Sequence, residues 1–269
     1  MTDLLIKPKS PDESGCIQKI TPESAGWEYV GFAVHELAPG HELKHCATER
    51  EICLVILTGM ATVRAGSKSW SQVGGRSSVF SGDPPEAVYI PAGLDWSVAA
   101  ETKMEVAVCS APGVGNDLPP RRITQSVMSR ETRGEASNTR HVCNILPEDQ
   151  PADSLLVVEV ITPAGNWSSY PPHKHDKEDA GLETRLEEIY YHRVDPASGF
   201  VLQRVYTDDR TLDETVAAEN YDVVLVPRGY HPVGVPHGYQ SYYLNVMAGP
   251  KREWMFRNDP EHDWIVRKN

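Results

Sequence analysis

The chain has 269 residues, 40% of them hydrophobic and 24% charged, which is close to the globular average and enough to build a sizeable core. Its formal net charge of −12 repels the phosphate backbone of nucleic acid at long range. No window approaches the roughly 18 apolar residues that a membrane helix needs, so neither nucleic acid nor membrane is expected as a partner.

The amino end, Met1 to Cys16, mixes Lys7 and Lys9 with Asp3, Asp12 and Glu13 and has no continuous apolar core, so it does not read as a secretory signal. Five cysteines (Cys16, Cys46, Cys53, Cys109, Cys143) are odd in number, scattered and without CxxC spacing. They read as inert thiols in a reducing, cytoplasmic setting. Short apolar runs then recur, bounded by Gly, Pro, Asn or Asp: Ile52 to Leu57, Ala87 to Ile90, Leu155 to Ile161 and Val223 to Val226. Helical periodicity is scarce, so the expected class is all-β. The polar, breaker-rich stretch from Ala111 to Arg140 reads as a connector.

Val88-Tyr89-Ile90-Pro91-Ala92-Gly93 resembles Val224-Leu225-Val226-Pro227-Arg228-Gly229, 136 positions later. Each is a strand running into a PxG turn, and their separation is about half the chain. The pattern predicts an internal duplication of one β-domain, with halves at 1–118 and 119–269.

Chemistry concentrates in the second half. In Pro171-Pro172-His173-Lys174-His175-Asp176, strand alternation turns His173 and His175 to one face and Lys174 to the other, a spacing that suits a metal. On its own, an HxH in so charged a stretch is usually a solvated loop. The next strand begins Leu186-Glu187-Glu188-Ile189-Tyr190-Tyr191, and antiparallel return brings one of the two acids beside the histidines. His231 follows the Pro227-Arg228-Gly229-Tyr230 turn, where a side chain can lean back over a barrel mouth.

Together these residues resemble the cupin superfamily, whose first motif is HxH followed by Glu and whose second is PxG followed by His. The resemblance implies a bicupin, two jelly-roll-like barrels, and one divalent transition metal on His173, His175, Glu188 and His231. Three imidazoles and a carboxylate accept zinc or manganese foremost, and also iron, nickel or copper. Twelve residues separate His175 from Glu188 where the superfamily has three or four, which an inserted hairpin tip would explain. His231 lies two residues after Gly229 where three are usual, leaving His237 in reserve as Glu187 is for Glu188. In the first half Trp96 stands where the second-motif His would fall and no HxH is found, so this half is expected to be metal-free, with His45, Glu49 and Glu51 as its remaining candidates.

Within cupins the chain is similar to the 5-deoxy-glucuronate isomerases of bacterial myo-inositol catabolism and their 5-keto-4-deoxyuronate isomerase relatives. The residues that carry this are Tyr170 to Asp176, Leu186 to Tyr191, Val226 to Pro232 and Tyr242-Tyr243-Leu244-Asn245-Val246-Met247-Ala248-Gly249. The resemblance implies an aldose–ketose isomerase acting on a small uronate, with Glu188 at the reaction centre and a homo-oligomeric assembly. Arg185 or Arg228 are candidates to grip the substrate carboxylate, and Tyr190 to supply a hydroxyl. Two other readings share the ligands: a cupin dioxygenase and a non-catalytic sugar-binding cupin. Neither a GxGxxG before a helix nor a phosphate-cradling loop is present, so no nucleotide is expected.

Overall fold

The structure is a computed structural model and describes residues 3–266. Among the described residues, helix is confined to the single turn Pro22–Ala25 and three 3-10 turns, so the fold is all-β as the apolar runs required. The chain divides into two compact units, and neither is one continuous stretch. One comprises Pro8–Ser129 and Cys143–Val158; the other comprises residues 3–7, Arg130–Val142 and 159–266. The sequence halves 1–118 and 119–269 therefore overlap these units without coinciding with them.

The unit built mainly from the first half has two sheets. Six strands lie in the order Arg121–Ile123, Glu86–Ile90, Arg50–Thr58, Met104–Pro112, Gly31–Leu37, Cys16–Ile20, and four in the order Glu42–His45, Trp96–Ala100, Met60–Ala65, Lys68–Gly74. Ile52, Leu54 and Ile56 alternate into a core with Val63, Val88, Val98 and Val106. Cys53, Val55 and Leu57 on the opposite face are also fully buried, which is why this strand reads as an unbroken apolar run. Glu51, one of the acids left open as a ligand, is fully buried and already occupied. Its carboxylate accepts the Tyr89 hydroxyl at 2.7 Å and the backbone N–H groups of Asp153, Ser154 and Leu155 at 2.7, 2.6 and 2.5 Å. That clamp gives the segment 143–158 its place in this unit. His45 stacks on Trp96 at 4.4 Å between ring centroids, the two residues facing each other across paired strands.

In the second unit the large sheet runs Leu5–Ile6, Val223–Val226, Glu187–Asp195, Gln240–Ala248, and continues through its shares of Leu156–Thr162, Arg140–Leu146 and Ser129–Arg133. The smaller sheet is Trp167–Ser168, Val233–Gly234, Val201–Tyr206, Asp213–Ala218. Val142, Val160, Val194, Val205, Val224 and Val233 pack in the core with Tyr190 and Tyr243. A two-stranded ribbon pairs His173–Lys174 with Arg257–Asn258. The long spacer between His175 and Glu188 is a hairpin tip, closed by an Asp179–Glu183 bridge around Gly181, whose φ is +80°.

Candidate metal centre

Three backbone features bring the motif residues together. Alternation along Glu187–Asp195 puts Glu188, Tyr190 and His192 on one face, opposite Met247, Asn245 and Tyr243 of the neighbouring strand. His175 enters from the end of the short ribbon, where its carbonyl accepts the Leu186 N–H at 2.9 Å. His231 follows a turn that only glycine can make: Gly229 has φ +88°, and a Cβ there would lie 2.3 Å from the Tyr206 carbonyl oxygen.

The resulting cluster is His175, Glu188 and His231, all buried, with ligand atoms within 4.8 Å of one another. His175 Nε2 and His231 Nε2 lie 2.9 and 3.0 Å from the same oxygen, Glu188 Oε2. Both Nδ1 atoms face backbone carbonyls, Leu186 at 3.3 Å and Gly229 at 2.9 Å, which can accept an Nδ1 proton. With the proton there, each Nε2 is free to offer its lone pair to a metal, the arrangement metal-ligating histidines use. His231 Nε2, though 3.0 Å from Glu188 Oε2, makes no well-directed hydrogen bond there, so its lone pair is free for a cation held between the two. Asn245 Nδ2 donates to Glu188 Oε1 at 2.5 Å and fixes the carboxylate's rotation. His173 extends the row, its ring 4.8 Å from that of His231 and 4.6 Å from that of Phe256.

The electrostatics agree with a cation site. Burial would raise the Glu188 carboxyl, but positive charge and donated hydrogen bonds from the His231 and His175 imidazoles hold it well below the usual range, and the same pairing raises His175; a bound cation would take the place of those protons. Burial, followed by its imidazole neighbours, keeps His173 neutral. An ionised carboxylate and imidazole nitrogens converging in a buried pocket fit one divalent transition metal.

Lys174 turns away from the imidazoles into a buried polar network of its own. Its ammonium lies 2.9 Å from Asp176 Oδ1 and 3.0 Å from Asp208 Oδ2. Asp176 Oδ2 also accepts the Gly229 N–H at 2.8 Å, which ties the HxH strand to the turn that carries His231. Glu183, from the hairpin tip, accepts the backbone N–H groups of Asp176 and Lys177.

The other candidates are dispersed. Glu187 faces the opposite side of its strand from Glu188, and His237 is exposed. Arg185 and Arg228 are exposed too, Arg228 on a polar depression with Asp176, Asp208 and Asp209. Tyr190 is beside the cluster, 5.8 Å from the His231 ring, and its hydroxyl meets Ser169 Oγ at 2.9 Å. Burial and then the Glu188 charge push its pKa well up, so it is a neutral phenol. Tyr243, one of the tyrosines the sequence offers as a hydroxyl source together with Tyr191, Tyr230 and Tyr242, lies on this face, whereas Asn245 and Ser169 were not singled out as individual site residues. The signal was there for Asn245, since it alternates with Tyr243 along an apolar strand that pairs with the glutamate strand.

A model of the KduI/IolB family matches residues 4–265. A Geobacillus kaustophilus protein called 5-deoxy-glucuronate isomerase is 55% identical over 266 residues, covering 99% of this chain and 96% of that protein. The Bacillus subtilis protein of the same name is 48% identical over 272 residues and covers both chains completely. Among solved structures, an IolB-like protein of Salmonella typhimurium superposes with a TM-score of 0.96 at 52% identity, covering 98% of this chain and 100% of that one. The Lactobacillus farciminis oxalate decarboxylase, at 12% identity, shares the fold with a TM-score of 0.67 over 96% of this chain and 89% of its own.

Proposed function

Because the chain belongs to the KduI/IolB family, we propose that it is a 5-deoxy-glucuronate isomerase, an aldose–ketose isomerase that converts 5-deoxy-glucuronate to 5-dehydro-2-deoxy-gluconate in myo-inositol catabolism. The observation that carries this is whole-length identity of 48–55% to proteins of that name, joined to a buried His175–Glu188–His231 cluster in the second unit. His175, Glu188 and His231, with His173 as the fourth ligand, would hold one divalent metal, zinc or manganese, and Glu188 is the residue nearest the reaction. When bound, such a metal supplies a Lewis acid that stabilises negative charge on the sugar's carbonyl and hydroxyl oxygens.

The chain's own groups account for the rest. Isomerisation moves one proton from the carbon beside the aldehyde to the aldehyde carbon, and another between the two oxygens. Tyr190 is a buried neutral hydroxyl held by Ser169, suited to keep a proton at one of those oxygens. Burial of the cluster excludes bulk water and strengthens each of these interactions. We further propose a homo-oligomer working in a reducing, cytoplasmic setting, in keeping with five unpaired cysteines.

The test combines elemental analysis with a progress curve. Protein purified without chelator should carry about one transition metal per chain, form ketose from 5-deoxy-glucuronate and consume no oxygen. A His173→Ala, His175→Ala double variant should lose both metal and activity. Absence of ketose from a metal-loaded preparation would refute the assignment, and oxygen uptake would move it to the dioxygenase class.

A further inference from the structure

A uronate differs from a neutral sugar by its carboxylate, and the two arginines near the motifs are both exposed to solvent. A different guanidinium lies on the inner face of the same barrel. Arg140 opens the strand Arg140–Leu146 two residues before Val142, whose side chain belongs to the barrel core, so strand alternation turns Arg140 to the same interior side. It is half-buried, and Nη1 is gripped by two oxygens of one residue, Asn138 O at 3.0 Å and Asn138 Oδ1 at 3.1 Å. Asn138 is held in turn, its Nδ2 donating to the carbonyl of Tyr170 at 3.3 Å, three residues before His173. Gly134 shapes this cradle: with φ +75°, a Cβ there would lie 2.0 Å from Asn138 O and 2.8 Å from Arg140 Nη1.

The other edge of the guanidinium, Nε and Nη2, has no hydrogen-bond partner among the described residues. Glu131, whose charge reaches Arg140, is bound to Arg133 at 2.6 Å, and Arg133 in turn lies over the Trp254 ring. A fixed, half-buried guanidinium with one edge open is the geometry that takes a carboxylate in a two-pronged grip.

Between this guanidinium and the metal ligands runs a line of hydroxyls. Tyr243, which Arg140's charge reaches, is 3.5 Å from Ser169 Oγ, Ser169 is 2.9 Å from the Tyr190 hydroxyl, and the Tyr190 ring is 5.8 Å from that of His231. A polyhydroxy acid laid along the line would meet hydrogen-bonding groups over its whole length. We infer that Arg140 binds the substrate's carboxylate and so sets the enzyme's preference for a uronate over the corresponding neutral aldose. This inference rests on the isomerase reading above. Burial, with no acid paired to it, lowers the Arg140 pKa, as expected where the missing counter-charge arrives with the ligand.

The experiment compares wild type, Arg140→Met and Arg140→Lys on 5-deoxy-glucuronate and on 5-deoxy-glucose, which carries a hydroxymethyl group in place of the carboxylate. Arg140→Met should lower kcat/KM for the uronate roughly ten- to hundredfold, mostly through KM, with little change for the neutral sugar and unchanged metal content. Arg140→Lys should recover part of the loss. An unchanged uronate preference in a folded, metal-loaded Arg140→Met variant overturns the inference while leaving the isomerase intact. Wild type that converts no uronate overturns the isomerase reading instead. Should Arg140→Met fail to fold by circular dichroism, Asn138→Ala decides: it keeps the guanidinium but removes one gripping oxygen, and must raise KM for the uronate selectively.

Discussion

His192 shows what an interior polar residue costs when no cation or solvent reaches it. It is fully buried, its Nε2 lies 2.9 Å from Gln203 Oε1, and burial pushes its pKa down to about 4. Between pH 6.5 and 4 the unfolded chain therefore binds a proton that the folded chain refuses, and stability falls as pH falls. The loss begins near pH 6.5 and is complete near pH 4, on the order of 3 kcal/mol for this residue alone. Denaturant unfolding of wild type and His192→Gln across pH 7 to 4 checks this: the variant, which shares the metal ligands, should show a shallower decline by about that amount. Equal slopes would show that His192 does not resist protonation. The same strand illustrates what could be read in advance. Alternation said that one of Glu187 and Glu188 faces the histidines, and the family resemblance chose Glu188 and pointed to Tyr190. The hydrogen bond from Asn245 to Glu188 spans 57 positions, and residue spacing along one strand carries no information about its neighbour's register.

The hairpin tip between His175 and Glu188 is more than spare length. Lys174, Asp176 and Glu183 form a charged cluster beneath it in which burial raises the Glu183 pKa, whereas Asp176, also raised by burial, is held down by its hydrogen bond from Lys174. Asp176 is thus the anion that both neutralises Lys174 and receives Gly229 N–H, while the Gly229 carbonyl accepts from His231 Nδ1. Replacing Asp176 with Ala should weaken metal retention and destabilise the fold by about 1–3 kcal/mol, because it leaves the buried Lys174 ammonium to the half-exposed Asp208 and the more distant Glu183 and leaves Gly229 N–H without its acceptor. Thermal melts and metal titration measure the two effects. In the Asp176→Ala, Lys174→Met double variant much of the stability should return while metal retention stays low; additive losses in stability would show that the two residues act independently. The insertion itself was legible as a count of residues. Its contribution was not, since an alternating strand marks Lys174 only as facing away from the imidazoles, with no sign that acids meet it there.

On the scale of the whole chain, the repeated PxG turn is the sequence's argument for two like halves, and the absence of HxH from the first is its argument that only the second holds metal. Trp96, which stands where a second-motif His would fall, is stacked on His45. Trp96→Ala should therefore lower the melting temperature, as expected for loss of a large buried ring, and leave metal content per chain unchanged. Loss of metal with retained folding would place the site in the other half. The interleaving of the two units could not be anticipated, because it depends on hydrogen bonds that Glu51 makes to residues 102 to 104 positions away. Those bonds also impose a timetable on synthesis. When the first ten strands have left the ribosome, the Glu51 carboxylate still lacks the three backbone donors that satisfy it, and they arrive only with residues 153–155. The opening strand Leu5–Ile6 waits longer still, for its partner Val223–Val224. A nascent chain of this protein therefore lacks the donors of this carboxylate until more than half of it has been made, and the partner of its first strand until most of it has.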